Sequence, residues 1–120
     1  MRPEKRDMAR LWDILDAARA IRQFVRGKTF ADLLQERMFR NAVERNLEII
    51  GEAARCVSQD GRGALPDIPW SAMIALRNVL AHEYGDIRYE RLWVVCTEQL
   101  PVLIRQLESI PLEGPPEKET

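Results

Sequence analysis

The residues best suited to chemistry lie in one short segment, from Arg77 to Tyr84. His82 is the only histidine of the chain, and an imidazole with an ordinary pKa of about 6.5 can accept and donate a proton near neutral pH. Arg77 offers a permanent positive charge and a fork of donors that fits a phosphate group. Asn78 can hold either the imidazole or a phosphate oxygen. Together, these side chains suit the cleavage of a phosphodiester bond.

Each of these residues also has a purely structural interpretation. A single histidine on a helix is usually a surface or capping group. Arg77 can form an ion pair with Glu83 or Asp86, and Tyr84 can pack at the rim of the fold. The spacing of the residues does not by itself decide between the two interpretations.

The segment belongs to a predicted helix that follows Pro69 and runs to about Glu83. We take its apolar face to be centred near Leu76, and that face comprises Ala72, Met73, Leu76, Val79 and Leu80.

The helical period separates the polar residues around this face. At about 100° per residue, Arg77 and Tyr84 lie together on one flank, whereas Asn78 and His82 lie together on the far side. We therefore expect that none of the four fills the core. Because Arg77 and His82 are about 140° apart, one chain cannot easily aim both at a single phosphate. This predicts a two-fold homodimer whose interface includes this helix.

Helical spacing of apolar residues covers most of the remaining chain. A first helix is predicted over residues 7–26, capped by Asp7 and ended by Gly27. A capping box formed by Thr29 and Asp32 opens helical structure that continues to about Ser58, as one bent helix or two. The apolar stripe of that region is Met38, Ala42, Leu47, Ile50, Ala53 and Val57.

The stretch SQDGRGALPDIP, which starts at Ser58, predicts a loop because it concentrates glycine, proline and polar residues. A last helix is predicted over residues 87–107, with a kink at Pro101. These elements predict an all-α fold, an up-down bundle of four to five helices.

Composition limits the class of protein. The chain has 120 residues, of which 46% are hydrophobic and 31% charged, so we expect one domain over residues 1–110 and a flexible tail over 111–120. No apolar run approaches the roughly 18 residues of a membrane span, and the N-terminus lacks the apolar region of a signal peptide. We therefore expect a cytoplasmic protein without a membrane partner. Its two cysteines, Cys56 and Cys96, are predicted to be reduced core residues.

The charge distribution is uneven although the formal net charge is only −1. Residues 1–28 carry eight basic and four acidic residues, whereas residues 86–120 carry four basic and seven acidic ones. Mixed charge of this kind usually marks a solvated helix face, and a protein that bound nucleic acid by charge alone would be more basic. If RNA is a ligand, a local site must select it.

Two sequence blocks resemble a known family. The segment from Arg77 to Tyr84 (RNVLAHEY) matches the Arg-x4-His-x-Tyr signature of HepT-like toxins, which belong to the HEPN superfamily of helical-bundle ribonucleases. Residues 46–54 (NLEIIGEAA) resemble the second helix of that family, and Trp93 with Leu100 and Pro101 resembles its last helix. The resemblance covers about residues 7–108.

The resemblance implies a metal-independent endoribonuclease that acts as the toxin of a toxin–antitoxin pair of the type VII kind. The resemblance assigns the catalytic roles to Arg77 and His82 and a supporting role to Asn78. No cofactor or metal is expected. The implied antitoxin is an MntA-type nucleotidyltransferase that transfers AMP to Tyr84. Glu52 is a possible supporting residue, although its stripe with Glu44 and Glu48 is by default a solvated face.

The alternative is a non-catalytic helical subunit that binds a nucleotide or a protein within a nucleotidyltransferase complex. Docking would not require an arginine and a histidine at a fixed spacing, whereas RNA cleavage does. The sequence therefore favours the enzyme.

Overall fold

The computed structural model describes residues 4–82 and 87–112, and every regular element in those ranges is helical. The helices are α1 (Lys5–Val25), α2 (Phe30–Gln35), α3 (Arg37–Cys56), α4 (Gln59–Ala64), α5 (Trp70–His82), α6 (Tyr89–Val94) and α7 (Leu100–Glu108), with a π-helical turn at Val95–Gln99 between the last two. The predicted all-α bundle is confirmed.

The core lies along α3, which packs extensively against α1 on one side and α5 on the other. Ser58 follows the end of α3 and contacts Asp7 at the start of α1, so these two helices are antiparallel. Helices α6 and α7 complete the bundle. Leu92 of α6 and Leu103 and Leu107 of α7 are buried in the core.

Local sequence signals account for several helix ends. The side chain of Thr29 accepts a hydrogen bond from the Asp32 amide, and the Asp32 carboxylate accepts one from the Thr29 amide, so the capping box is confirmed. Gly27 has a φ of 76°, a left-handed conformation that glycine adopts without a steric penalty. A break at Glu36 separates α2 from α3, so this region forms two helices rather than one.

Asp7 does not cap α1, which is a correction to the sequence prediction. The N-cap position is Glu4, and Asp7 lies in the first turn with only 3% of its surface exposed. Its carboxylate accepts hydrogen bonds from the amide and the hydroxyl of Ser58, at 2.9 and 2.6 Å. The partner is 51 residues away, so helix-capping rules could not find it.

The predicted loop after α3 is also wrong in part, because residues 59–64 form α4. The hydroxyl of Ser58 accepts a hydrogen bond from the Gly61 amide and caps this short helix. The same serine thus binds Asp7 and starts α4, which overrides the weak helical preference of two glycines.

Outside α5, two predicted core residues are exposed. Met38 has 87% of its surface accessible, and its neighbour Phe39 is the buried residue of that turn. Cys56 is exposed as well, whereas Cys96 is buried as predicted, and burial raises the pKa of its thiol to about 12. One position along a helix is a rotation of about 100°, which is enough to exchange an inward for an outward side chain.

A π-helical turn immediately precedes Pro101, and the kink expected at this proline remains a prediction. The Leu100 amide bonds to the Val95 carbonyl, and Pro101 falls in the first turn of α7, where a missing amide hydrogen is tolerated.

No helix in residues 4–82 and 87–112 is long and apolar enough to cross a membrane. The division into a domain over residues 1–110 and a tail over 111–120 remains a prediction, and residues 113–120 lie outside the described ranges.

Candidate active site at the contact of α3 and α5

The candidate site is built on the close contact between α3 and α5. A Cβ atom at residue 51 would overlap the Cβ of Arg77 and lie 2.7 Å from the carbonyl oxygen of Met73. Glycine at this position therefore lets the two helix backbones approach more closely than any other residue would. Gly51 lies in one of the sequence blocks noted above, but its role depends on a helix that is distant in sequence.

The expected apolar face of α5 is confirmed in part: Met73 and Leu80 are buried and Leu76 is half-buried, but the inward side is rotated towards Arg77. Trp70 is also buried, whereas Ala72 and Val79, taken above as core residues, are exposed. Arg77 shares the inward side, and its side chain is 29% exposed. The prediction that Arg77 does not contribute to packing is therefore wrong: its Cβ lies against Gly51, and its guanidinium group extends to the edge of the interface.

The guanidinium group of Arg77 is held by two neighbours. Its Nη1 donates a hydrogen bond to Oδ1 of Asn78 at 3.2 Å, and its Nη2 lies 3.2 Å from Oε2 of Glu52 on α3. The expected ion pair of Arg77 with Glu83 or Asp86 concerns residues outside the described ranges.

Glu52 lies between two arginines. Its Oε1 accepts a hydrogen bond from Nη2 of Arg55 at 2.7 Å, while Oε2 faces Arg77. Oε2 is buried and, within the described part of the chain, accepts no hydrogen bond of adequate geometry, so its contact with Arg77 is electrostatic. The hydrogen bond from Arg55 and the charges of Arg55, Arg77 and Arg10 lower the pKa of Glu52, although desolvation opposes them. The carboxylate is therefore ionised at neutral pH.

His82 is the last residue of α5, five positions after Arg77. The imidazole and the whole of Tyr84 lie outside the described residues. The structure thus brings Arg77, Asn78 and Glu52 together and places position 82 at the end of the same helix. Sequence reasoning identified these residues, but it missed Gly51, Arg55 and Arg10 around them.

Within the described ranges, no three His, Cys, Asp or Glu side chains group as metal ligands would. The exposed hydrogen-bond donors of the site come from arginine and asparagine, a set suited to an anion such as a phosphate group.

An all-helical bundle that presents this arginine and histidine on one helix has the architecture of HEPN-type ribonucleases. The family model described as "Ribonuclease HepT-like" matches residues 14–110. The chain belongs to the HepT-like ribonuclease family, and it is an endoribonuclease toxin of that family by this relationship.

Similar proteins come from archaea and bacteria. "Putative RNase MJ1380" of Methanocaldococcus jannaschii is 39% identical over 107 residues, which cover 88% of this chain and 98% of the relative. "Probable ribonuclease HepT" of Thermococcus cleftensis is 36% identical, with 83% of this chain and 91% of the relative covered. "Putative RNase TTE0752" of Caldanaerobacter subterraneus is 30% identical, with 81% and 87% covered. No solved structure matches the chain.

We predict that Gly51→Ala destabilises the fold by about 1–3 kcal/mol, because the added methyl group forces α3 and α5 apart. Chemical denaturation followed by circular dichroism measures the change. Gly63→Ala on α4 is the matched control, since a Cβ there meets no atom within 4 Å, and it should leave the stability unchanged or slightly higher. Equal stability of Gly51→Ala and wild type would contradict the role of the close contact.

Proposed function

We propose that this protein is the toxin of a type VII-like toxin–antitoxin pair, a metal-independent endoribonuclease that cleaves RNA with Arg77 and His82. The observation that carries the proposal is the placement of the Arg77 guanidinium group, which packing fixes at the α3–α5 contact five residues before His82. A fixed cation beside an acid–base group is what phosphodiester cleavage requires.

In the proposed reaction, the 2′-hydroxyl group of RNA is the nucleophile. Its oxygen attacks the adjacent phosphorus and the bond to the 5′ oxygen breaks, which yields a 2′,3′-cyclic phosphate and a 5′-hydroxyl. Arg77 binds the phosphate and stabilises the negative charge that grows in the transition state. One neutral His82 accepts the 2′ proton, and a protonated His82 from a second copy donates a proton to the leaving oxygen.

Asn78 and Glu52 act on Arg77 as positioning residues in this proposal. The hydrogen bond to Asn78 and the carboxylate of Glu52 hold the guanidinium group from two directions. Only one of its N–H groups is used in the hydrogen bond to Asn78, so others are available to a phosphate.

The outward side of α5 supports the proposed homodimer. Ala72, Ala75 and the half-exposed Val79 recur at helical spacing, and His82 continues the same sector of the wheel. Such an apolar stripe is unusual on a solvated helix face. A two-fold contact along this stripe buries it and brings both copies of position 82 to one cleft, with an Arg77 from each copy at its sides.

The proposed antitoxin is an MntA-type nucleotidyltransferase that uses ATP to modify Tyr84. The phenol oxygen attacks the α-phosphorus of ATP, pyrophosphate leaves, and the phenol proton passes to water. The AMP phosphate then competes with RNA for Arg77, and its nucleoside blocks the cleft by steric hindrance. RNA, a second copy of the chain and this enzyme are the partners that the proposal requires.

We predict that His82→Ala lowers the RNA cleavage rate by about 10²–10⁴-fold, because it removes a general acid–base group. Arg77→Lys keeps the charge but loses the bidentate fork, and we expect a clear loss as well. The control is Arg45→Lys, since Arg45 is an α3 arginine that pairs with Glu48 and not with Glu52. Cleavage of labelled RNA and growth on induction are the measurements. A fully active and toxic His82→Ala protein would refute the mechanism.

We predict that Val79→Asp converts the dimer to a monomer and abolishes cleavage, because two carboxylates would face each other across the dyad. Light scattering at micromolar concentration and RNA cleavage test both effects. Met38→Asp is the matched control: Met38 is the more exposed residue and lies outside α5, so this variant should stay dimeric and active. An active wild-type monomer would contradict the shared cleft.

We predict that incubation with the adjacent-gene nucleotidyltransferase and ATP adds AMP to Tyr84 and abolishes cleavage. Peptide mass spectrometry locates the added mass. Tyr84→Phe should escape both modification and inhibition, whereas Tyr89→Phe, which changes the only other tyrosine, should respond like wild type. Neutralisation of Tyr84→Phe by AMP transfer elsewhere would contradict this control mechanism.

A further inference from the structure

Glu52 is contacted by two arginines from different helices, Arg77 of α5 and Arg55 of α3. Arg55 lies one turn further along α3, and its Nη2 donates the 2.7 Å hydrogen bond to Glu52 described above. Arg10 of α1 is close enough for its charge to help lower the pKa of Glu52. The cluster is therefore a feature of the assembled bundle rather than of one sequence motif.

The positive charge of this cluster exceeds what Glu52 can balance. Other ion pairs of the described chain, such as Arg19 with Glu108 and Lys28 with Glu36, match one cation to one carboxylate. Glu52 is instead shared between two guanidinium groups that contact its opposite oxygens. Arg10 adds a third positive charge, which also acts on Asp13 of its own helix.

Arg55 is accessible to a ligand. Its side chain is 58% exposed, compared with 29% for Arg77, so packing does not account for its position. The two guanidinium groups contact opposite oxygens of a single carboxyl group, at 2.7 and 3.2 Å, so they lie close to each other. A strand whose scissile phosphate binds Arg77 would thus bring the next phosphate to Arg55.

We propose that Arg55 forms a subsite for a non-scissile phosphate of single-stranded RNA next to Arg77. This inference rests on the proposed ribonuclease function and adds a contact that binds the strand without touching the reacting atoms. The subsite would favour RNA that extends past the cleaved bond over the shortest substrates.

A purely structural role for Arg55 makes a different prediction. If Arg55 only positions Glu52, its loss would act through Arg77, and the effect would vanish once Glu52 is neutral. If Arg55 binds a phosphate, its loss removes one ionic contact with RNA whether or not residue 52 is charged. The salt dependence of binding reports this contact, because each phosphate neutralised on a single strand contributes about 0.7 to the slope of log K against log salt.

The experiment measures binding of a fluorescent single-stranded RNA by anisotropy over a salt series, with His82→Ala as the non-cleaving parent. We expect Arg55→Gln to weaken binding and to reduce the magnitude of the slope by about 0.7. The same reduction should occur when Arg55→Gln is added to Glu52→Gln in this parent. The matched control is Arg45→Gln, which removes an α3 arginine from a comparable pair with Glu48 and should leave the slope unchanged. Thermal unfolding confirms that each variant is folded.

Three results would overturn the subsite: an unchanged slope for Arg55→Gln, an equal reduction for Arg45→Gln, or a reduction that disappears in the Glu52→Gln background. Absence of RNA binding by the parent would also overturn it. Cleavage by the wild-type protein then decides separately whether the proposed ribonuclease function fails too.

Discussion

The site depends on one steric constraint, the approach of α3 to α5 at Gly51. A side chain at this position would overlap Arg77 and the Met73 carbonyl, so the contact exists only because residue 51 has no Cβ. It rotates α5 so that Arg77 faces inward, and it brings Arg77 within reach of Glu52 on the neighbouring helix. The position of Arg77 therefore follows from backbone packing, and Glu52 supplies the charge that balances it.

The electrostatics of the site follow from this geometry. An arginine that is partly buried between helices needs a counter-charge, and Glu52 supplies it. Arg55 holds one carboxylate oxygen by a hydrogen bond, which leaves the other directed at Arg77 without a hydrogen bond in the described structure. Such an arrangement keeps the guanidinium group in place while some of its N–H donors remain available to an anion with several acceptor oxygens. A phosphodiester group is an anion of that kind.

The rotation of α5 has a second consequence on the opposite side of the helix. Because Arg77 turns inward, the small apolar residues Ala72 and Ala75 and the larger Val79 turn outward. Ala72 and Val79, which the sequence assigned to the core face, thus become part of an exposed stripe in line with position 82. In the proposed homodimer, packing inside one protomer and association of two protomers would be coupled through the orientation of this helix.

Sequence alone determined the features that depend on neighbours a few residues away. The Thr29–Asp32 capping box and the left-handed Gly27 were predicted correctly because their partners lie within one turn. The signature residues Arg77, Asn78 and His82 were recognised from their spacing within one short segment. The resemblance that they carry is confirmed by the family match. The helical period of the apolar residues likewise predicted the bundle, but it did not predict correctly which side of every helix is buried.

Tertiary structure decided what depends on partners distant in sequence. Asp7 was expected to cap its own helix, yet it binds Ser58, and Met38 was expected inside, yet Phe39 is buried in its place. The inward side of α5 was predicted only in part, since Met73 and Leu80 are buried but Ala72 and Val79 are not. The density of apolar residues does not show which side of a helix meets another helix. The orientation of α5 depends on its contact with Gly51. A hydrophobic pattern does not reveal this contact, because glycine has no side chain. The physical reason is that helix formation is local, whereas the direction a helix faces is set by the surface it packs against.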